Sequence, residues 1–576
     1  MTISAPPRWQ AWVPGLVRLR GYPRSWLRGD LVAGVTVAAY MVPQVMAYAG
    51  VAGLPPVVGL WTALAPFALY AVLGTSRLLS IGPESTTALM TAAAVAPLAA
   101  GDPVRYAALA SATALVVGGL LVLAGTARLG FVADLLSRPV LAGYMAGVAF
   151  LMIEGQLERL TGMQIESDGF FSSLAYLATH LGDIDPLTFG LGVAVLAFLL
   201  VSTRLWPRVP GPLVGVLLAT LVVLAFGLED QGVAVVGDVP QGLPPVGMPG
   251  VSGSDYASLL LPAVGIAVVA FSDTVLTGRG FAQRGDPPID GDAELRALGA
   301  SNVGAALTSG FPISSSGSRT ALAESSGGRS QGYALVVLAA LVAVLLFAGP
   351  LLSSFPDAAL GALVVYAALR LIDVPEFRAL WAFRRTEFAL AVAATMGVLV
   401  FDILYGILFA VGLSVLDLLA RVARPPWAVQ GFVTGMAGMH DVADYPGATE
   451  EPGLVVFRYD SPLFFANASD FQEKAVEALD KRPGTRWFVV NAEANVEIDS
   501  TAAQAIDDLR ATVTARGLEF GMARVKMDLR VQLERAGLLD SVGEDRIFPT
   551  LPTAVQGYRA WAAANPRSVA DGPAGG

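Results

Sequence analysis

The stretch Phe311–Glu324 reads FPISSSGSRTALAE, and Gly82–Ala94 reads GPESTTALMTAAA. Each sets proline and small, hydroxylated residues ahead of a short apolar run. Each also places one charge, Arg319 or Glu84, before a Thr-Ala-Leu triplet. Interrupted short segments at matching places in two halves of a membrane chain point to a substrate site near the bilayer midplane. The surrounding chain must therefore be read for membrane spans and for a repeat.

The chain has 576 residues, of which 54% are hydrophobic and 15% charged. A soluble domain would carry about 25% charged residues. Apolar runs near the ~20 residues needed to cross a bilayer recur over the first three quarters. Fourteen segments are expected, centred near residues 40, 65, 91, 115, 147, 194, 219, 267, 302, 321, 340, 364, 393 and 413. The third, ninth and tenth are short and rich in small or polar residues. If the third and tenth correspond, the chain divides seven plus seven, and an odd-numbered repeat must be inverted.

Basic residues favour the cytoplasmic side. With a cytoplasmic N-terminus, the even connections carry Arg77, then Arg128 and Arg138, then Arg204 and Arg208. Later ones carry Arg279 and Arg284, then Arg329, then Arg378, Arg384 and Arg385. The odd connections carry Glu166, Asp168, Asp183, Asp185, Glu229, Asp230, Asp238 and Asp357. This alternation predicts a multi-pass protein of the inner (plasma) membrane with both termini cytoplasmic. No cleavable signal peptide is expected, because the first thirty residues lack a small-residue cleavage site.

Four regions follow. Residues 1–30 form a basic, Trp-bearing interfacial segment, and 31–425 the transmembrane domain. Residues 430–565 alternate strand-like and helical patterns and predict a soluble α/β domain. Residues 566–576 predict a disordered tail. Cysteine is absent and His180 and His440 are the only histidines, so thiolate chemistry is excluded and a His-rich metal site is not expected. No phosphate-binding Walker motif is present to couple ATP. The expectation is a transporter rather than an enzyme, with no cofactor and no nucleic-acid partner.

Charged groups at membrane depth are functional candidates by default. Two helix starts facing each other near the midplane, after Gly82-Pro83 and after Pro312, would offer unpaired N–H groups and partial positive charge to an anion. Ser314, Ser315, Ser316 and Ser318 add hydroxyl donors, and Arg319 a permanent charge. Asp273 and Thr277, four residues apart, share a helix face and suit sodium, or a proton on the carboxylate. Glu84 either pairs with Arg319 or carries a proton. Gln44 follows Pro43, expected to interrupt the first segment, and Tyr48 lies one turn on.

These stretches resemble the SulP family, the sulfate-permease group related to animal solute-carrier anion exchangers and prestin. The carriers of the resemblance are PQVMAYAGVAGLPPVVGLW at 43–61, SIGPES at 80–85 and DAELRALGASNVGAALTSGFPISSSGSRTAL at 292–322. The C-terminal region resembles a STAS domain. The resemblance implies a polytopic α-helical fold of fourteen segments in two inverted repeats, arranged as core and gate, in a homodimer that moves like an elevator. It implies an anion site lined by Gln44, Tyr48, Glu84, Ser316, Ser318 and Arg319. It also implies a sodium site at Asp273 and Thr277, as in the family's sodium-coupled bicarbonate branch. Glu84 stands where many relatives carry a neutral or apolar residue, which favours proton coupling. In the α/β domain the resemblance raises phosphorylation of Ser500, or a protein or nucleotide partner. The leading expectation is symport of an inorganic oxyanion, sulfate first, with protons or sodium. The alternatives are sodium-dependent bicarbonate transport, an anion channel, and a membrane-anchored receptor signalling through the C-terminal domain.

Overall fold

The structure is a computed structural model describing residues 13–130, 137–165, 169–206, 210–282 and 289–565. Residues 1–12 and 566–576, with Glu166, Asp168, Arg208 and Arg284, lie outside the described residues, and so do the expectations that fall on them. The chain divides into two compact units, Met1–Ser414 and Val415–Gly576.

Fourteen helices coincide with the fourteen expected segments. The first seven are α1 (Leu27–Val51), α2 (Pro56–Leu73), α3 (Ser85–Ala99), α4 (Pro103–Thr126), α5 (Arg138–Glu154), α6 (Pro186–Leu205) and α7 (Gly211–Phe226). The second seven are α8 (Gly253–Gly280), α9 (Gly291–Leu307), α10 (Gly317–Ser325), α11 (Gly332–Phe347), α12 (Asp357–Leu371), α13 (Arg385–Ile403) and α14 (Tyr405–Ala423). Asp402, with φ 66° and ψ 168°, makes the break between the last two. Nine helices among the described residues are long and apolar enough to cross a membrane, and α3, α7 and α11 are shorter apolar ones. Four short helices of the first unit outside the fourteen, Leu157–Thr161, Phe170–Thr179, Gly349–Ser353 and Val374–Phe383, were not expected. One expectation fails outright. Pro43 does not interrupt the first segment, since α1 runs through it unbroken.

The helix contacts exchange in pairs when each helix is replaced by the one seven places on. α1 packs on α11 as α8 packs on α4, and α2 on α11 as α9 on α4. α10 touches α1 as α3 touches α8. α6 packs on α12, and Gly143 and Gly147 bring α5 against Ala391 and Val398 of α13 in the same way. The chain is therefore two inverted seven-helix repeats, with α1–α4 and α8–α11 as one group (core) and the remaining six as another (gate). Small residues permit the closest crossings. Side-chain atoms added at Gly118 of α4 and Gly299 of α9 would each meet the other's carbonyl oxygen within 2.8 Å.

The repeats also meet through two short strands, β1 (Ile81–Gly82) and β2 (Ser314–Ser315), paired antiparallel with Ile81 opposite Ser315 and Gly82 opposite Ser314. Superposing one strand on the other places Ile81 on Ser314 and Gly82 on Ser315. The same spacing aligns Thr87-Ala88-Leu89 with Thr320-Ala321-Leu322.

In the second unit, a six-stranded sheet has the order β4-β3-β5-β6-β7-β8. Its strands are β3 (Trp427–Phe432), β4 (Met439–Asp441), β5 (Leu454–Tyr459), β6 (Trp487–Asn491), β7 (Glu519–Ala523) and β8 (Ile547–Phe548). β5 to β8 run parallel, while β3 and β4 form an antiparallel edge. Phe457, Phe471, Phe488, Ile506, Leu509 and Leu529 fill the core between the sheet and α15 (Ala468–Asp480), α16 (Ser500–Ala515) and α17 (Met527–Arg535). α18 (Leu551–Ala564) covers Val456, Trp487 and Val489 on the other face. On this unit's surface the Arg559 guanidinium, hydrogen-bonded to Glu451, holds that carboxyl below the usual carboxylate range.

Candidate anion site

The β1–β2 ladder is fixed from behind by buried polar side chains. Asn302 accepts from the Ile313 amide at 2.9 Å and donates to the Ile313 carbonyl at 3.2 Å. The Ser316 amide donates to the Ser80 carbonyl at 2.9 Å, and the Ser80 amide to Thr320 Oγ1 at 3.0 Å. Glu294, fully buried, accepts from the Tyr70 hydroxyl and from the amide and hydroxyl of Thr75, and so holds the turn before β1. Asp30 takes the amides of Arg329 and Ser330 and the Ser330 hydroxyl, fixing the turn after α10. Thr320, Glu294 and Asp30 left no distinct sequence signal, since each acts on a partner more than two hundred positions away, while Asn302 acts on Ile313 11 positions on.

The two helix starts beyond the ladder are the candidate functional feature. α3 begins after Glu84 and α10 after Ser316, and neither has a side chain capping its N-terminal amides. α4, α6, α8 and α9 are capped by Asp102, Asp185, Ser252 and Asp290, whereas α1, α2, α5, α7, α11 and α12 also start without a side-chain cap, so what sets the α3 and α10 starts apart is that both face one cavity. Uncapped amides of a helix start are satisfied by water or by a ligand, and their dipole favours an anion.

The starts open on one cavity of about 260 Å³. Each repeat supplies three equivalent elements. α1 contributes Tyr40, Gln44 and Tyr48; the α3 start Glu84, Ser85 and Thr86; α5 Met145. From the second repeat α8 contributes Asp273 and Thr277, the β2–α10 turn Ser315, Ser316, Gly317 and Ser318, and α12 Tyr366, Ala367, Arg370 and Leu371. Seven of the eight expected membrane-site residues thus share one cavity wall: Gln44, Tyr48, Glu84, Asp273, Thr277, Ser316 and Ser318.

Arg319 is the exception. It is wholly buried and lies behind that wall. Its Nη1 donates to Gln44 Oε1 at 3.2 Å and its Nε to Ser80 Oγ at 3.3 Å. Glu84 Oε2 stands 3.6 Å from Nη1, within ion-pair range but beyond a hydrogen bond, and makes no hydrogen bond of its own. Arg319 Nη2 is likewise buried without a hydrogen-bond partner. Gln44 therefore relays between the guanidinium behind it and the Tyr48 hydroxyl, to which its Nε2 donates at 3.0 Å. Ser316 and Ser318 hydroxyls touch at 3.2 Å.

Asp273 Oδ2 accepts from the hydroxyls of Ser314 at 3.0 Å and Ser315 at 3.2 Å. A carboxylate so held suits a proton or a cation, and Thr277 follows one turn on along the same helix. Tyr40, Tyr366 and Arg370 were missed by the sequence reading, because they look like ordinary interfacial residues of apolar segments. In the second unit, Ser500 is exposed at the first position of α16, and Asp499 caps that helix by accepting from the Ala502 amide at 2.8 Å.

Comparison with known proteins shows the family and the fold. Residues 27–394 match the model of the sulfate permease family, and residues 445–554 that of the STAS domain. A protein of Mycobacterium tuberculosis named a probable sulfate transporter is 58% identical over 549 residues, covering 95% of this chain and 98% of its own. A probable sulfate transporter of Arabidopsis thaliana is 30% identical over 540 residues, covering 89% and 85%. The solved structure of murine Solute Carrier 26 family member A9, an anion transporter, superposes with TM-score 0.88 at 21% identity, covering 97% of this chain and 96% of that one. The transmembrane domain of a cyanobacterial bicarbonate transporter superposes with TM-score 0.59 at 22% identity, covering 68% and 98%.

Proposed function

The chain belongs to the sulfate permease family, and on that premise we propose that it is a secondary active symporter of sulfate, driven by protons or sodium. One observation carries the reading: two uncapped helix starts from opposite repeats converge on a single small polar cavity, with a buried guanidinium one layer behind. A desolvated tetrahedral oxyanion needs many donors and a fixed charge. The amides, Ser316, Ser318 and the Gln44 relay from Arg319 supply both. Asp273, held by Ser314 and Ser315 beside the same cavity, is the site for the coupling ion, with Thr277 as a further oxygen if that ion is sodium. The names of its relatives favour sulfate over bicarbonate. The working form in this reading is a homodimer in the plasma membrane with both termini cytoplasmic. The exposed Ser500 is the point at which phosphorylation or a protein partner would act on the STAS domain.

The test is uptake of labelled sulfate and bicarbonate into proteoliposomes, with proton and sodium gradients imposed separately. Accumulation of sulfate above its equilibrium level under one gradient is the expected result. Sodium-driven accumulation of bicarbonate alone would select the bicarbonate transporter. Flux that only follows the anion's own gradient would select a channel. Binding with no flux of any anion would select a receptor.

A further inference from the structure

Three charged side chains line the cavity among the described residues: Glu84, Asp273 and Arg370. The two carboxylates have company, Glu84 facing Arg319 and Asp273 accepting from two serines. Arg370 has no carboxylate within ion-pair distance among the described residues. Its one hydrogen bond is a long one, from Nη1 to the Tyr366 hydroxyl at 3.4 Å, and its guanidinium lies 5.9 Å from the centre of the Tyr366 ring. Tyr366 is itself tethered, its hydroxyl 2.8 Å from Thr203 Oγ1 on α6. Arg370 is thus an exposed cation without a carboxylate partner at the cavity wall, carried by the gate group, whereas the buried Arg319 and both helix starts belong to the core group.

From this placement we propose that Arg370 is a specificity-determining residue: it supplies from the gate side the second positive charge that a divalent oxyanion requires. The inference rests on the sulfate reading above. One fixed charge and two helix starts suffice for a monovalent anion. A dianion in the same cavity also meets two carboxylates, so its second charge needs a counter-charge that neither half-helix provides. A guanidinium fits, because its planar donors can take two oxygens of a tetrahedral anion at once. Arg370 also sits in the last turn of α12, where a cation is favourable to the helix alone. That purely structural role predicts a change in stability and none in selectivity.

The experiment uses the full chain in proteoliposomes, comparing wild type with Arg370→Gln and Arg370→Lys. The half-saturating concentration of labelled sulfate is measured, together with inhibition by selenate (divalent and tetrahedral) and by nitrate (monovalent). We expect Arg370→Gln to weaken sulfate and selenate by roughly tenfold or more while nitrate changes less than twofold, and Arg370→Lys to recover most of the loss. If a variant carries no flux, thermal stabilisation of the purified protein by the same three anions reads the same ratio. An unchanged divalent-to-monovalent ratio in Arg370→Gln, beside a wild type that accumulates sulfate, overturns this inference and leaves the transport reading standing. A wild type that takes up no sulfate overturns the transport reading before any variant is made, and this inference with it.

Discussion

Two residues past β1 the chain places Glu84; two residues past β2, at the equivalent position, it places Gly317. Two residues further on, the first half-site has Thr86 and the second has Arg319. The backbones of the two half-sites match: a two-residue strand, an uncapped helix start, a shared ladder. Their side chains do not, since one repeat carries the carboxylate and the other the guanidinium. A symmetric site would present two like charges across the ladder. Dividing opposite charges between the repeats sets Glu84 against Arg319, and in the proposed reading the carboxylate occupies the counter-charge role that a bound anion would take. The 3.6 Å separation, without a hydrogen bond, is loose enough for an anion to take over that role.

The largest effect should come from deleting the guanidinium. Arg319→Ala is expected to lower sulfate affinity on the order of a hundredfold or more, because removing one partner of a buried charge interaction costs about 2–5 kcal/mol or more. Sulfate binding by calorimetry on the purified protein measures it. An affinity within about threefold of wild type would mean that the helix starts alone hold the anion. Asp273→Asn comes next. It leaves Ser314 and Ser315 a neutral partner but removes the carboxylate proposed to hold the coupling cation. Accumulation should collapse to equilibration while sulfate still enters down its own gradient. Normal gradient-driven accumulation in this variant would move the coupling site elsewhere.

Glu84→Gln tests the division of charge itself. With the stand-in carboxylate gone, the buried Arg319 is left without its ionic neighbour, and an unpaired buried charge is strongly disfavoured. The anion should bind tighter, by roughly tenfold, corresponding to about 1.4 kcal/mol. The emptied site should reset slowly, so that sulfate-for-sulfate exchange outlasts net uptake. If affinity instead falls, Glu84 is part of the binding surface in its protonated form, and the pH dependence of uptake should vanish with it.

How far the site was legible follows from what kind of signal each part leaves. Twelve of the fourteen helices left apolar runs and α9 and α10 only stretches of small and polar residues, yet all fourteen were found. The half-site pairing showed as two short Thr-Ala-Leu segments, and the strand spacing reproduces that alignment. The strands themselves were invisible, for two residues carry no period. Arg319 was expected to line the cavity because charge near serines suggests contact. Its position behind Gln44 depends on a helix 275 positions away, which no local pattern encodes. Pro43 was expected to break α1, but a buried membrane helix can absorb the missing hydrogen bond among its neighbours. Arg370 went unread for the opposite reason: an arginine ending an apolar segment is what any membrane anchor looks like.

The smallest predicted effect concerns the other member of the Glu84 pair. Gly317 could be glycine because the anion or the facing helix needs the room, or simply because repeat symmetry broke there. A methyl group added at Gly317 would meet no heavy atom closer than Thr277 Cγ2, at 4.0 Å. Its backbone is also absent from the left-handed region in which only glycine is comfortable. Gly317→Ala should therefore change sulfate affinity by less than about twofold, the scale of a substitution that breaks no contact. A much larger loss, read by the same calorimetry, would show that the bound anion presses against the α10 start at that residue. The two half-sites would then be unequal in space as well as in charge, with the anion seated nearer α10 than α3.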